Sequence, residues 1–285
     1  MFFGKKLLLQ MKIFKRIIWI AFAAFVASIV FSLLFPSRVR VVDSIRMFAQ
    51  RPIIKWAGKI KMEDIPIIDS QDSIAGIDIS FEELKPYLFK LTPGSIVLTR
   101  TRNYFISGFI PSMWMHAGIY LGTKRQLYAT FKSESLLNTL DSLMNDSDIY
   151  VLDSYSDGVR VRPLKELSNM TNVSYLTHFA SFSFNESQEQ RALFIGKGLE
   201  YLGREYDYDW ITEDDETIFC SELLYHTLKA VGIDIKDRTT TVSRIIFTPD
   251  NLFQHLLNNS GNDGKFTYHG TVFKENDTTQ ILFPI

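Results

Sequence analysis

The stretch Phe219-Cys220-Ser221-Glu222-Leu223 contains the single cysteine of a 285-residue chain. Upstream lies a polar run, Thr212-Glu-Asp-Asp-Glu-Thr217. Downstream, Leu223, Leu224, Thr227, Leu228 and Val231 recur at helical spacing and Gly232 supplies a stop. That pattern predicts a helix over 220–231 with the thiol in its first turn. Free N–H groups and the dipole at such an end favour an anion, and a histidine partner draws a thiol further toward thiolate. On composition alone, a lone cysteine ahead of an apolar helix is core filler. Cys220 is therefore a filler or a reagent. One cysteine leaves no internal disulfide and no Cys-rich zinc site.

Toward the N-terminus, Ser187-x-x-Gln190 is a capping box opening a second helix through Leu202, with Ala192, Ile195, Leu199 and Leu202 on one face. Before the helices come strands. Ser95 to Arg100 follows the turn signal Pro93-Gly94, and His116 to Leu121 is closed by Gly122. Ile149 to Asp153 and Val159 to Arg162 pair about an Asp157-Gly158 turn, and a fifth candidate runs from Val173 to Phe182. Strands first and the main helices later predict an α+β fold, an antiparallel sheet packed on helices, rather than a parallel βαβ sheet.

The ends differ in character from this body. Residues 1–40 carry seven Lys/Arg and no acid, whereas the chain has 31 basic and 32 acidic residues, so positions 41–285 hold a net charge of −8. A body of that sign repels phosphate and argues against nucleic acid as a partner. After the basic tail 1–16, Ile17 to Phe35 is a run of 19 uncharged residues. At about 1.5 Å per residue it spans roughly 28 Å, the thickness of a bilayer's hydrocarbon core. The run exceeds the h-region of a signal peptide and no small-x-small cleavage site follows it, which reads as an uncleaved anchor in the lipid bilayer. Five basic residues precede the span and five follow within twenty positions, so the charge rule ties. A short basic N-terminus beside a single span then places the body on the extracytoplasmic side. Residues 36–80 read as a basic juxtamembrane linker, either amphipathic on anionic headgroups or solvated. A single folded body is expected over 81–260, with 261–285 as a C-terminal extension.

The motifs of the body, taken in order, resemble the permuted papain-like amidases and cysteine hydrolases of the NlpC superfamily, in their YaeF/YiiX-like branch. Pro93 to Leu98 is similar to a Pro-Gly-(Asp/Ser)-Ile-Val strand, and His116-Ala-Gly-Ile-Tyr to the strand that carries the catalytic histidine. Val151-Leu-Asp153 before Gly158-Val159, Gly203 to Asp207, Cys220-Ser-Glu-Leu223 and Thr248-Pro-Asp-x-Leu252 complete the series, covering about residues 90–255. Met115 stands where a Ser or Thr commonly precedes the histidine, and Asp153 where Glu is common. The resemblance implies a circularly permuted papain-like fold with Cys220 as nucleophile, His116 as base and Asp153 as the group orienting the imidazole. It also implies Tyr206 as a second oxyanion donor beside the Cys220 N–H, and no cofactor. His116 precedes Cys220 by 104 residues, the reverse of papain order.

His178, His226, His255 and His269 lack paired ligand spacing and read as structural or surface groups, with no metal site expected. Glu213, Asp214, Asp215 and Glu216 read as a solvated acidic loop. Asp157 competes with Asp153 as orienter, but an Asp-Gly pair is what a tight turn needs. Substrates compatible with this chemistry are small peptides, amides (peptidoglycan peptides among them) or lipid esters. Two other classes remain open: a lipid-directed thiol acyltransferase resembling lecithin-retinol acyltransferase relatives, and a non-catalytic binding module on the same fold.

Overall fold

A computed structural model describes residues 76–102, 112–207, 216–241, 244–261 and 263–283, together with scattered positions between 15 and 56. The basic tail 1–14, most of the linker, and Glu213 to Asp215 lie outside the described residues. The chain divides into two units, residues 1–54 with 240–244, and residues 55–239 with 245–285.

In the first unit, Lys15–Ser32 form a helix of mean hydropathy 1.7, by length and composition sufficient to cross a membrane. Its described apolar side chains, Trp19, Ile20, Phe22 and Phe25 among them, are exposed. No charged residue lies between Ile17 and Ser32, and a helix is one of the few backbone forms that pairs its own polar groups in an apolar medium. Within the same unit, Arg46 Nε donates to Ser32 Oγ at 2.8 Å.

The second unit begins with helix α1 (Phe81–Leu88), then β1 (Ser95–Thr101) and β2 (His116–Gly122). Two short helices, α2 (Lys124–Thr130) and α3 (Glu134–Asp141), lead to β3 (Tyr150–Tyr155) and β4 (Gly158–Pro163). A 3-10 turn (Leu164–Asn169), β5 (Leu176–Phe184), α4 (Gln188–Leu199) and α5 (Cys220–Ala230) follow. Residues 240–244 of the short strands β6 (Thr239–Thr241) and β7 (Arg244–Ile246) belong to the first unit, and α6 (Pro249–Asn258), β8 (Phe266–Glu275) and β9 (Thr278–Leu282) complete the second. Seven strands form one sheet in the order β4-β3-β2-β1-β5-β8-β9, and its pairings are antiparallel throughout.

Alternation along each strand divides two cores. Ile96, Leu98, Ile119, Leu121, Leu152 and Phe182 face α4, α5 and α6 with Phe194, Leu223, Leu224 and Leu252. Val97, Tyr120, Val151, Phe179 and Val272 face α1 and the 3-10 turn with Leu84, Leu88 and Leu164. Leu223, Leu224 and Leu228 are fully buried, each contributing about 1.5–3 kcal/mol to holding α5 on the sheet. Where α4 crosses, Gly198 is required, because a Cβ there would meet Leu152 Cδ2 at 2.7 Å.

The predicted helices over 187–202 and 220–231 are present as α4 and α5. Ser187 caps α4 by accepting from Gln190 N–H, and Gly232 takes the left-handed φ of +83° that stops α5. The expected strand over 173–182 lies at 176–184 instead. A larger correction concerns residues 261–285, expected as an extension. β8 pairs with β5 and carries β9, and Phe266 and Val272 are buried in the two cores. The body therefore continues through the end of β9, and a boundary at 260 would cut its sheet.

Candidate active site

Strand register explains the first contact of the site. Gly118 on β2 lies opposite Asp153 on β3. His116 is two residues from Gly118, hence on the same face, which makes His116 and Asp153 diagonal neighbours. No side chain intervenes at Gly118, where a Cβ would lie 2.7 Å from Val151 Cγ2 and 3.2 Å from the Asp153 Cβ. Asp153 Oδ2 is accordingly 2.7 Å from His116 Nε2, with Asp153 fully buried. That bond leaves Nδ1 as the ring nitrogen not taken by Asp153, and Cys220 lies near enough for its charge to act on the ring.

Cys220 reaches the imidazole because its helix start is tied down on several sides. Ser154, next to Asp153, donates to the Ile218 carbonyl at 2.5 Å. Ser221 Oγ donates to the Phe247 carbonyl at 2.9 Å, and Phe219 N–H donates to Glu222 at 3.4 Å. The segment after α4 docks along β4: Val159 N–H donates to Arg204 O at 2.9 Å and Ile218 N–H to Glu205 O at 2.9 Å. Gly158 permits that approach, since a Cβ would sit 2.3 Å from the Arg204 carbonyl. Tyr206 is thereby carried to the cavity that Cys220 lines. Cys220, Tyr206, Ser112, Met115, Phe247 and Pro249 line a small cavity of about 70 Å³.

Charge around the ring is consistent with this geometry. Burial disfavours a charged imidazole, but the Coulombic pull of Cys220 and the hydrogen bond and charge of Asp153 outweigh it. His116 is lifted from 6.5 to about 10. The environment thus favours the protonated ring.

Two further residues join the site without any prior signal of their own. Arg162 Nε donates to Asp153 Oδ1 at 2.6 Å and its Nη2 to Asp157 at 2.9 Å. Although burial opposes it, the charges of Asp153 and Asp157 push Arg162 above its ordinary value. Asp157, the competing orienter, is in turn held below the usual carboxylate range, burial being outweighed by Arg162 and Arg160. It therefore contacts Arg162 rather than the imidazole. Tyr155 packs edge-on against His116 at 5.5 Å. Only the period-2 pattern of β3 and β4, which puts Asp153, Tyr155 and Arg162 on one face, foreshadowed these two.

The other histidines are elsewhere. His226 Nε2 lies 3.6 Å from Glu222 Oε1, His269 Nε2 is 2.7 Å from Ser183 Oγ, His178 stacks on Phe273, and His255 is in the last turn of α6. Among the described residues, no three His, Cys, Asp or Glu side chains converge as a metal site.

A thiol at a helix start, an imidazole at a strand start and a carboxylate on the next strand, with the histidine first in the chain, define a permuted papain-like arrangement. The family model described as "Permuted papain-like amidase enzyme, YaeF/YiiX, C92 family" matches residues 90–281. The chain belongs to that family. Among solved structures it is similar to the crystal structure of the metalloprotein yiiX from Escherichia coli O157:H7. That match has 16% identity and a TM-score of 0.38, over 68% of this chain and 98% of the other. No curated protein matches.

Proposed function

We propose that the protein is a membrane-anchored cysteine amidase, cleaving amide or ester bonds of small substrates, peptidoglycan peptides among them. The observation that carries the reading is the buried His116 held 2.7 Å from Asp153, with the charge of Cys220 acting on its ring and Cys220 lining a cavity. In this reading the Cys220 thiolate attacks the carbonyl carbon, and His116 delivers its proton to the leaving amine as the C–N bond breaks. Water then adds to the thioester with His116 as base, releasing the acid and restoring the pair. Asp153 keeps the proton on Nε2 and balances the imidazolium. The Cys220 N–H, without an intrahelical acceptor at the helix start, and the Tyr206 hydroxyl serve as oxyanion donors. The chemistry as written requires no cofactor. Residues 17–35 hold the protein in the bilayer with its body on the extracytoplasmic side.

Alkylation of the membrane-extracted full chain by an iodoacetamide probe, alongside hydrolysis of a peptide and ester panel, tests this. The native protein should be modified at Cys220 at pH 7. His116→Ala should slow that modification about tenfold or more, and Cys220→Ala should abolish turnover. A Cys220 that reacts only after unfolding would refute the amidase and favour a binding module.

A further inference from the structure

Asp153 is a fully buried carboxylate with two oxygens to satisfy. An ionised carboxylate accepts at both, and an oxygen left bare inside a protein is costly. His116 answers one of them, its Nε2 lying 2.7 Å from Oδ2. The other is answered from β4, where Arg162 Nε donates to Oδ1 at 2.6 Å. Register alone would not select Arg162. Arg160 lies directly opposite Asp153, yet its side chain stays 60% exposed and turns to Asp157 at 3.3 Å. Arg162 stands diagonally across, with only 11% of its side chain exposed.

The rest of the guanidinium serves the same row of charges. Its Nη2 donates to Asp157 Oδ1 at 2.9 Å. Among the described residues, the hydrogen bonds of Arg162 go to these two acids alone. Its guanidinium carbon lies 5.8 Å over the Tyr155 ring, the ring that packs edge-on against His116. Burial disfavours the charge of Arg162, and the two acids more than offset it. Asp157, between β3 and β4, anchors the outer end of the row. With the imidazole protonated, Asp157, Arg162, Asp153 and His116 alternate in sign.

We infer that Arg162 is a positioning residue of the site: it occupies the outer oxygen of Asp153, so that the carboxylate stays ionised and turns its other oxygen to His116. Charge-assisted bonds of this kind are short and directional, and here one falls on each oxygen. With Oδ1 unanswered, the buried carboxylate would be free to turn about its Cβ–Cγ bond and would gain affinity for a proton. A protonated Asp153 would no longer balance an imidazolium or fix which ring nitrogen carries the proton. Arg162 touches neither the thiol nor the cavity that Cys220 lines, so it acts through Asp153. The role rests on the amidase reading for the reaction it serves, whereas the pairing does not.

The full chain in detergent tests this by two readouts. The first is turnover of a peptide amide in a double-mutant cycle of Arg162→Met with Asp153→Asn. Arg162→Met should lower turnover about 100-fold in the native background, the scale of a misplaced reacting group. In the Asp153→Asn background no carboxylate remains to be held, so it should change the residual turnover by less than about twofold, whereas independent losses would multiply. Asp157→Asn puts a residue suited to turns at that position and frees the far end of the guanidinium. It should lower turnover several-fold, and it keeps the test decisive if Arg162→Met folds poorly. The second readout is the proton resonance of the His116 ring N–H bound to Asp153, assigned by its absence in Asp153→Asn. It should lie far downfield in the native chain at pH 7, broaden by exchange in Asp157→Asn and vanish in Arg162→Met. Equal fractional losses in both backgrounds, native turnover in Asp157→Asn, or a resonance unchanged in both variants would overturn the inference. A native chain that turns over no substrate refutes the amidase instead, and the resonance still decides whether Arg162 holds Asp153.

Discussion

Glu222→Gln should make the protein resistant to a loss of stability that the native chain suffers as pH rises. Glu222 is the third residue of α5, 1% exposed, with one oxygen accepting from Phe219 N–H and the other 3.6 Å from His226 Nε2. Burial raises its pKa and the charge of Asp207 adds to this, while His226 and the Phe219 N–H offset only part. The carboxyl is pushed from 4.5 to about 7. The folded protein therefore keeps a proton that the unfolded chain has already released. Stability from that proton is fully present below pH 4.5 and is lost as pH climbs to about 7. At about 1.36 kcal/mol per pH unit the loss is roughly 3 kcal/mol. For a body of this size that is roughly 6–12 °C in Tm, at about 2–4 °C per kcal/mol. Thermal unfolding of the detergent-solubilised protein, followed by tryptophan fluorescence, measures it. Native and variant chains should melt together near pH 4.5 and diverge by pH 8, with the glutamine variant the more stable. Groups common to both chains cancel in the difference. A Tm gap that does not change between those pH values would refute the reasoning, because it would mean that Glu222 ionises as readily folded as unfolded.

Asp153→Asn keeps the shape beside His116 but removes the charge that accepts from both the imidazole and Arg162. Turnover should fall by about 10³–10⁴-fold, while alkylation of Cys220 changes far less; equal losses in both assays would count against an orienting role. Truncation after Ser260 should abolish cooperative melting, because it removes the strand that pairs with β5 and the buried Phe266 and Val272. A truncated chain melting like the full one would return 261–285 to the status of an extension.

The candidate site residues are legible in the sequence because local rules place them. Cys220 stands where an apolar helical period begins, and a helix start is a local property of capping and spacing. His116 opens an alternating strand closed by a glycine. The apolar N-terminal helix is legible too, from an uninterrupted run of 19 uncharged residues. What the resemblance to a known family added was the order of the parts and the role implied for Asp153.

Other features exist only through contacts between distant residues. By sequence β8 reads as part of an extension, and it becomes a strand of the sheet by pairing with β5, some ninety positions earlier. Arg162 and Tyr155 look like ordinary hairpin residues until the register of β3 on β4 turns them to the same face as Asp153. A cavity walled by Trp114, Phe253 and Tyr268 is invisible in the sequence for the same reason, since its walls come from 113–114, α6, β8 and β9, brought together with His178. Local spacing determines which face a residue presents along its own element. Which residue stands opposite is decided by strand register and helix packing, and these are set by the burial of the whole core rather than by any neighbour in the chain.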